Sequence, residues 1–150
     1  MIPMIGMSTG AGNHARARKI AWKGALTAAV MCECIGVAAA VCPDAWLTLF
    51  TREPEVIRIG SAYLQRVGPG FGMFGLGLAL YFASQGAKQM GWSVVAAVSR
   101  AAIVASASWI VAAGDKAELN ELLDILLLAM ACYAFLNSVP WIRGKNRDAV

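Results

Sequence analysis

Charged side chains are scarce in this sequence. Asp, Glu, Lys and Arg make up 15% of its 150 residues, whereas hydrophobic residues make up 59%. Soluble domains carry about 25% charged and about 45–50% apolar residues. So few polar residues cannot cover a soluble core, and the mean hydropathy of +0.60 agrees. We therefore expect an integral membrane protein.

The residue patterns of catalysis and metal binding are also lacking. No nucleophile with a nearby base can be assembled, and Cys32 and Cys34 form a C-x-C without the further ligands that a zinc site needs. The glycine turn Gly10-Ala11-Gly12 lacks the strand and the lysine of a phosphate-binding loop. We therefore expect no enzyme, no catalytic residue, no metal and no cofactor.

Four apolar stretches are long enough to span a bilayer, which needs roughly 20 helical residues. The predicted spans are residues 21–41, 67–87, 90–113 and 119–141. The last is the weakest, because Glu118, Glu121 and Asp124 crowd its first turns. The fold class expected is all-α, with four transmembrane helices. Residues 1–12 lack the pattern of a signal peptide and resemble the cytoplasmic tail of another apolar helix.

The lysines and arginines predict the orientation, because cytoplasmic loops carry an excess of them. Eight lie on one expected side: Arg16, Arg18, Lys19, Lys23, Lys88, Arg143, Lys145 and Arg147. Four lie on the other: Arg52, Arg58, Arg66 and Lys116. Both termini should therefore be cytoplasmic. The net charge of +4 comes from the ends of apolar segments, so nucleic acid is not an expected partner.

Between the first two spans, residues 42–66 form a long connection on the expected outer side. Trp46 and Phe50 suit a membrane interface, and apolar residues recur near helical spacing after Pro54. This stretch should be amphipathic, and Asp124 near the same surface should be solvated.

Glycines dominate the second span. Gly68, Pro69, Gly72, Gly75 and Gly77 permit close helix packing or a hinge. Both interpretations stay open.

Glu33 and Arg100 are the charges deep within spans. Such residues are costly in lipid and usually mark a pair or a transport pathway. Each lies about ten residues from the expected cytoplasmic start of its helix, roughly 15 Å along the axis. A structural ion pair between them and a proton- or cation-linked role for Glu33 are the two hypotheses.

Several ordered motifs resemble those of multidrug and toxic compound extrusion (MATE) transporters. Residues 10–18, GAGNHARAR, are similar to the cytoplasmic turn before the third helix of each half, with Gly10, Gly12, Asn13 and Arg16 in the turn. Residues 45–51, AWLTLFT, with 53–56, EPEV, resemble the outer connection, and 74–87, FGLGLALYFASQGA, resemble the next helix. The resemblance runs from Gly6 to about Ala113.

This resemblance implies helices nine to twelve of a twelve-helix transporter, thus part of a six-helix lobe. Family members exchange organic cations or other drugs for protons or sodium ions. Ser84 and Gln85, in the stretch matching helix ten, are candidate cavity or gate residues. Some members carry an acidic coupling residue there, but residues 67–87 have none. The coupling acid would then lie in the missing part of the transporter or be Glu33, which is not a site carried over from the family.

The expected function is multidrug efflux by cation-coupled antiport in the inner membrane, as a C-terminal fragment of a MATE transporter. The expected partners are lipids, a cationic or amphiphilic substrate, and the missing helices or a second copy of the chain. The alternatives are a self-contained four-helix homodimer that uses Glu33, or an inactive truncated membrane remnant.

Overall fold

The computed structural model describes residues 1–88, 90–113 and 119–143, and this part of the chain is mostly helical and has no strand. The helices are α1 (Ile2–Gly10), α2 (His14–Val41), α3 (Pro43–Leu47), α4 (Pro54–Val67), α5 (Phe71–Gly86), α6 (Met90–Ala113) and α7 (Leu119–Arg143). A 3-10 turn, Gly68–Gly70, joins α4 to α5. The predicted all-α fold class is confirmed. Lys116, Glu118, Lys145 and Arg147, used above for orientation and span boundaries, lie outside the described residues.

Three stretches within the described ranges are long and apolar enough to cross a membrane. They are His14–Val41, Pro54–Gly86 and Glu121–Ile142. Met90–Ser106 is a shorter apolar stretch of α6. The chain therefore has the helices of a multi-pass membrane protein.

The turn between α1 and α2 sets the start of α2 at His14, ahead of the span predicted from residue 21. Asn13 is the N-cap, and its side-chain oxygen accepts a hydrogen bond from the Arg16 N–H at 3.0 Å. Gly12 has a φ of +72°, a left-handed conformation that favours glycine. Arg16 and Arg18 therefore belong to the first turns of the helix.

Helix α1 is more than a tail, because it packs into the bundle. Ile5 is fully buried, and a Cβ on Gly86 of α5 would lie 2.8 Å from the Ile2 carbonyl oxygen. The α1–α2 turn, the Ala87–Lys88 turn after α5 and the neighbouring lysines and arginines define what we call the basic end.

The opposite end, called the α3 end, contains the connection predicted at residues 42–66. Pro43 and Pro54 occupy the first turns of α3 and α4, where proline is tolerated. The connection folds back on itself, because a Cβ on Gly60 would lie 2.8 Å from Leu47 Cδ1. An open apolar cleft of about 630 Å³ lies between α3, α4 and Leu123 of α7. Helix α4 then continues through the 3-10 turn into α5.

Helix α5 is central, with α2 on one side and α7 on the other, and it also contacts α1 and α6. At the basic end the buried core consists of Ile5, Ala17, Ala21, Ala25, Leu80, Ala83, Ala87 and Trp141. Towards the α3 end it consists of Val67, Leu123 and Met130, with Tyr63, Phe71 and Phe74 packed against them. Gly72 and Gly75 of α5 face α2, whereas Phe74 and Gly77 face α7, so α5 forms two different contact surfaces.

Candidate functional site

The contact between α2 and the start of α5, which we call the glycine seam, is made by Gly36, Gly68, Gly72 and Gly75. A Cβ on Gly36 would collide with the Gly68 carbonyl oxygen, and one on Gly68 would lie 2.6 Å from the Gly36 oxygen. A Cβ on Gly75 would lie 2.8 Å from Cys32 Sγ. The two backbones approach this closely only because side chains are missing there.

Glu33 lies in the glycine seam and caps the start of α5. Its Oε2 accepts a hydrogen bond from the Gly72 N–H at 2.7 Å. The first N–H groups of a helix have no partner in their own helix, and the positive end of the helix dipole attracts an anion. The Glu33 carboxylate of α2 thus provides a hydrogen-bond partner for one free N–H in the first turn of α5.

Glycine at position 72 is what admits this carboxylate. A Cβ there would lie 2.6 Å from Glu33 Oε2 and 3.2 Å from the Ala29 carbonyl oxygen. The preceding turn, Gly68-Pro69-Gly70, separates α4 from α5 just before the capped N–H. The helix interruption and the acid therefore form one unit.

Arg100 lies on the other side of α5, against aromatic rings. Its Cζ is 5.0 Å from the Phe74 ring centroid and 5.6 Å from that of Tyr133. The two rings are 6.4 Å apart and inclined by 29°. Ring faces attract a guanidinium electrostatically, most strongly where water is excluded. We call this contact of α5 with α6 and α7 the aromatic seam.

The predicted ion pair between Glu33 and Arg100 was wrong. The ion pairs among the described residues are Glu55–Arg58 and Arg66–Asp124. Glu33 contacts the α5 backbone from α2, whereas Arg100 contacts α5 and α7 from α6. A similar depth along the helices did not bring the two side chains together, because α5 lies between them and each side chain contacts a different part of it.

Ser84 is buried within the aromatic seam at the basic end. Its hydroxyl donates to the Leu80 carbonyl oxygen at 3.0 Å and accepts from Trp141 Nε1 at 3.1 Å. Only 1% of Ser84 is exposed, so it joins α5 to α7 rather than lining an open cavity. Gln85 is half-buried beside it.

A sequence model of the MatE family matches residues 1–110. The match covers most of the chain and includes both the glycine seam and Arg100. This chain belongs to the MatE family. No curated protein and no solved structure matches it. The match ends within α6, so α7, with Tyr133 and Trp141, lies outside it.

MatE proteins are efflux transporters rather than enzymes, and the remaining candidate residues fit a helix bundle. Gly77 packs on α7, where a Cβ would lie 2.6 Å from Tyr133 Cδ1. Pro69 lies in the 3-10 turn. The glycine seam and Gly77 are thus close-packing positions, and Gly68 and Pro69 also interrupt the helix.

The predicted turn residues lie together at the basic end of this MatE chain. Gly12 and Asn13 shape the turn, and the Asn13 N–H donates to the Ser8 carbonyl oxygen at 2.8 Å. Gly10 has open space around its Cβ position. The turn is therefore explained by helix capping.

Asp124 is exposed, as expected for a solvated residue, with 54% of its side chain accessible, but it also forms an ion pair that was not expected. Both its oxygens accept from Arg66, with Nε–Oδ1 and Nη2–Oδ2 distances of 2.8 Å. This pair links α4 to α7. Sequence reasoning missed it because the two residues are far apart in the chain.

Phe74, Tyr133 and Trp141 were also missed as partners. The signal available for the last two was their spacing: Tyr133, Asn137 and Trp141 recur every fourth residue and share one face of α7. Nothing in the sequence relates Phe74 to Arg100.

Proposed function

We propose that this MatE chain takes part in multidrug efflux by cation-coupled antiport in the inner membrane. Family membership supports efflux transport, and Glu33 supports the coupling. An acidic residue within a span is costly and commonly serves ion movement. The substrate class proposed is cationic or amphiphilic small molecules.

The position of Glu33 at the 3-10 turn between α4 and α5 is the observation that carries the proposal. Transporters commonly bind coupling ions where helices are interrupted near the middle of the membrane. A proton or a sodium ion would bind the same carboxylate that accepts the Gly72 N–H. Cation binding would therefore weaken this hydrogen bond and free the start of α5 to move against α2.

We further propose that the chain acts together with additional transporter helices or a second copy of itself. Large apolar side chains are exposed along α2 and α6, including Leu26, Val30, Ile35, Val98 and Trp109. Lipid or further helices would cover these faces. The family match favours this over a self-contained small homodimeric transporter.

The test is Glu33→Gln at the native locus, so that the chain works in its normal assembly. Cells loaded with ethidium report the efflux rate with the proton or sodium gradient intact or collapsed. We expect the variant to lose most of the gradient-driven rate, because it removes the charge proposed to bind the coupling cation, and to keep the rate that remains when the gradient is collapsed. Membrane abundance of the chain is measured in parallel.

Glu55→Gln is the matched control. Glu55 is exposed on α4 and bonds Arg58 of the same helix, so its loss should leave efflux unchanged. If deletion of the gene abolishes efflux but Glu33→Gln does not lower it, the coupling group lies elsewhere. If deletion leaves efflux unchanged, the efflux proposal itself is contradicted.

A further inference from the structure

Two fully enclosed polar atoms in the aromatic seam have no hydrogen-bond partner among the described residues. They are Ser93 Oγ of α6 and Asn137 Oδ1 of α7. The residues are 1% and 0% exposed. The Asn137 Nδ2 donates to the Tyr133 carbonyl oxygen at 3.0 Å, which leaves the oxygen side of the amide open. Buried polar atoms normally have a hydrogen-bond partner. We therefore expect Ser93 Oγ and Asn137 Oδ1 each to have one.

Helix register places the two atoms at the same level. On α7, Tyr133 lies beside Gly77 and Trp141 beside Ser84, so Asn137, midway between them, is level with about residues 80–81 of α5. On α6, the turn at residues 87–88 and the contact of Arg100 with Phe74 place Ser93 level with about residues 81–83. The two levels agree within about one helical turn, roughly 5 Å.

Both residues also lie on the faces that form the aromatic seam. Ser93 and Ala96 are buried on α6 and share a face with Arg100, which contacts α5 and α7. Asn137 lies between Tyr133 and Trp141, both of which contact α5. The two unpartnered oxygens therefore lie at a similar level where α5, α6 and α7 pack together.

Pro140 leaves a backbone oxygen of α7 without its usual donor at the same level. It lies inside α7 and has no N–H, so the Leu136 carbonyl oxygen lacks its usual donor four residues on. This carbonyl immediately precedes Asn137 in the chain.

The chemistry of the three oxygens matches one neutral ligand that both donates and accepts. The Leu136 carbonyl and Asn137 Oδ1 accept, and the Ser93 hydroxyl donates or accepts. A cation is disfavoured because Arg100 shares the α6 face, and the described acids of α7, Glu121 and Asp124, lie at the α3 end. We propose that Ser93, Asn137 and the Leu136 carbonyl bind one internal water molecule that bridges α6 and α7 at the basic end.

The first test is the sign of a stability change. Ser93→Ala and Asn137→Leu are made in the full chain, singly and together, and thermal unfolding is followed in mild detergent. A bridging water predicts that each single change lowers the midpoint by roughly 2–10 °C, and that the double change lowers it by less than the sum. If both single changes raise the midpoint, the oxygens are unpartnered and the proposal is overturned.

Ser138→Ala is the matched control, because the buried Ser138 hydroxyl already donates to the Ala134 carbonyl oxygen in its own helix. Its midpoint should change less than that of Ser93→Ala. A larger change would mean that any buried serine of this seam has the same effect, and it would overturn the assignment to Ser93.

A second measurement uses the unaltered chain and therefore does not depend on the variants folding. Radiolytic hydroxyl labelling should modify Tyr133 and Trp141 despite their burial, because bound water generates radicals in place, and it should spare the fully buried Ile5. Absence of labelling at both aromatic residues would contradict the proposal.

An ion in place of water is tested by comparing unfolding in sodium, potassium and choline chloride at equal ionic strength. We expect the same midpoint in all three salts. A saturable rise with sodium that Ser93→Ala abolishes would overturn the water and assign the site to a cation.

Discussion

Helix α5 holds an acid on one side and a base on the other, and it holds them by different means. In the glycine seam, the Glu33 carboxylate accepts one backbone N–H at 2.7 Å from Gly72. In the aromatic seam, the Arg100 guanidinium lies 5.0 and 5.6 Å from two ring centroids. One contact depends on the absence of side chains and the other on their size.

This difference determines how much change each seam tolerates. A backbone partner cannot move out of the way, so an added side chain in the glycine seam meets main-chain atoms. A ring partner can be exchanged for another apolar side chain, with loss of the ring electrostatics but not of the packing. Substitutions of the glycines in the glycine seam should therefore be poorly tolerated. Substitutions of the rings in the aromatic seam should reduce stability by smaller amounts.

The largest effect is expected from Gly36→Leu. The new side chain meets the Gly68 backbone at a crossing that has no free space. Overpacking of this kind typically costs about 1–3 kcal/mol, and more where backbone blocks relaxation, so we expect about 3 kcal/mol or more of unfolding free energy to be lost. Denaturant unfolding in mild detergent measures it.

Gly91→Ala is the control for removing a glycine as such. Gly91 lies near the start of α6 with open space around its Cβ position. The change should be neutral or stabilising by up to about 1 kcal/mol, because alanine favours helix over glycine. If Gly36→Leu and Gly91→Ala lose equal unfolding free energy, the close approach of the backbones in the glycine seam does not limit substitution there.

A smaller effect is expected from Phe74→Leu, which keeps an apolar contact but removes one ring beneath Arg100. We expect a coupling free energy of roughly 1–2 kcal/mol between Phe74→Leu and Arg100→Leu in a double-mutant cycle, the range of desolvated cation–ring contacts. Phe82→Leu is the comparison, because Phe82 contacts Tyr81 rather than Arg100. Additive changes at Phe74 and Arg100 would show that the rings do not stabilise the charge.

The smallest effect is expected from Arg66→Gln at the α3 end, outside both seams. Exposed ion pairs contribute little and are screened by salt, so the unfolding midpoint should fall slightly and the difference should vanish at high ionic strength. Asp124→Asn should behave alike. A large, salt-independent loss would mean that this pair, rather than the packing of Tyr63 and Val67 on Leu123, is the main link between α4 and α7.

The helices could be predicted from the sequence because their signals are local. Length and hydropathy predicted the four long helices, and prolines 43 and 54 begin α3 and α4. Helix α2 begins ahead of the predicted span, because Asn13 caps it before Arg16 and Arg18.

The partners within the site could not be predicted, because each joins residues that are distant in the sequence. The importance of Glu33 was visible from its charge, but its partner is a backbone N–H, which every residue except proline carries. For Arg100 we expected an ion pair with an acidic residue, because a cation–ring contact is weaker and has no clear signal in the sequence. Ser84 is polar enough to suggest a gate, and only its bond to Trp141 shows that it is internal.

The glycine seam also contains a native chemical probe. Cys32 is half-buried against Gly75, whereas Cys34 and Cys42 are exposed on the same helix or at its end. A membrane-permeant thiol reagent should therefore alkylate Cys32 more slowly than its two neighbours in the closed packing. Its relative rate then reports how often α2 and α5 separate, without any engineered label.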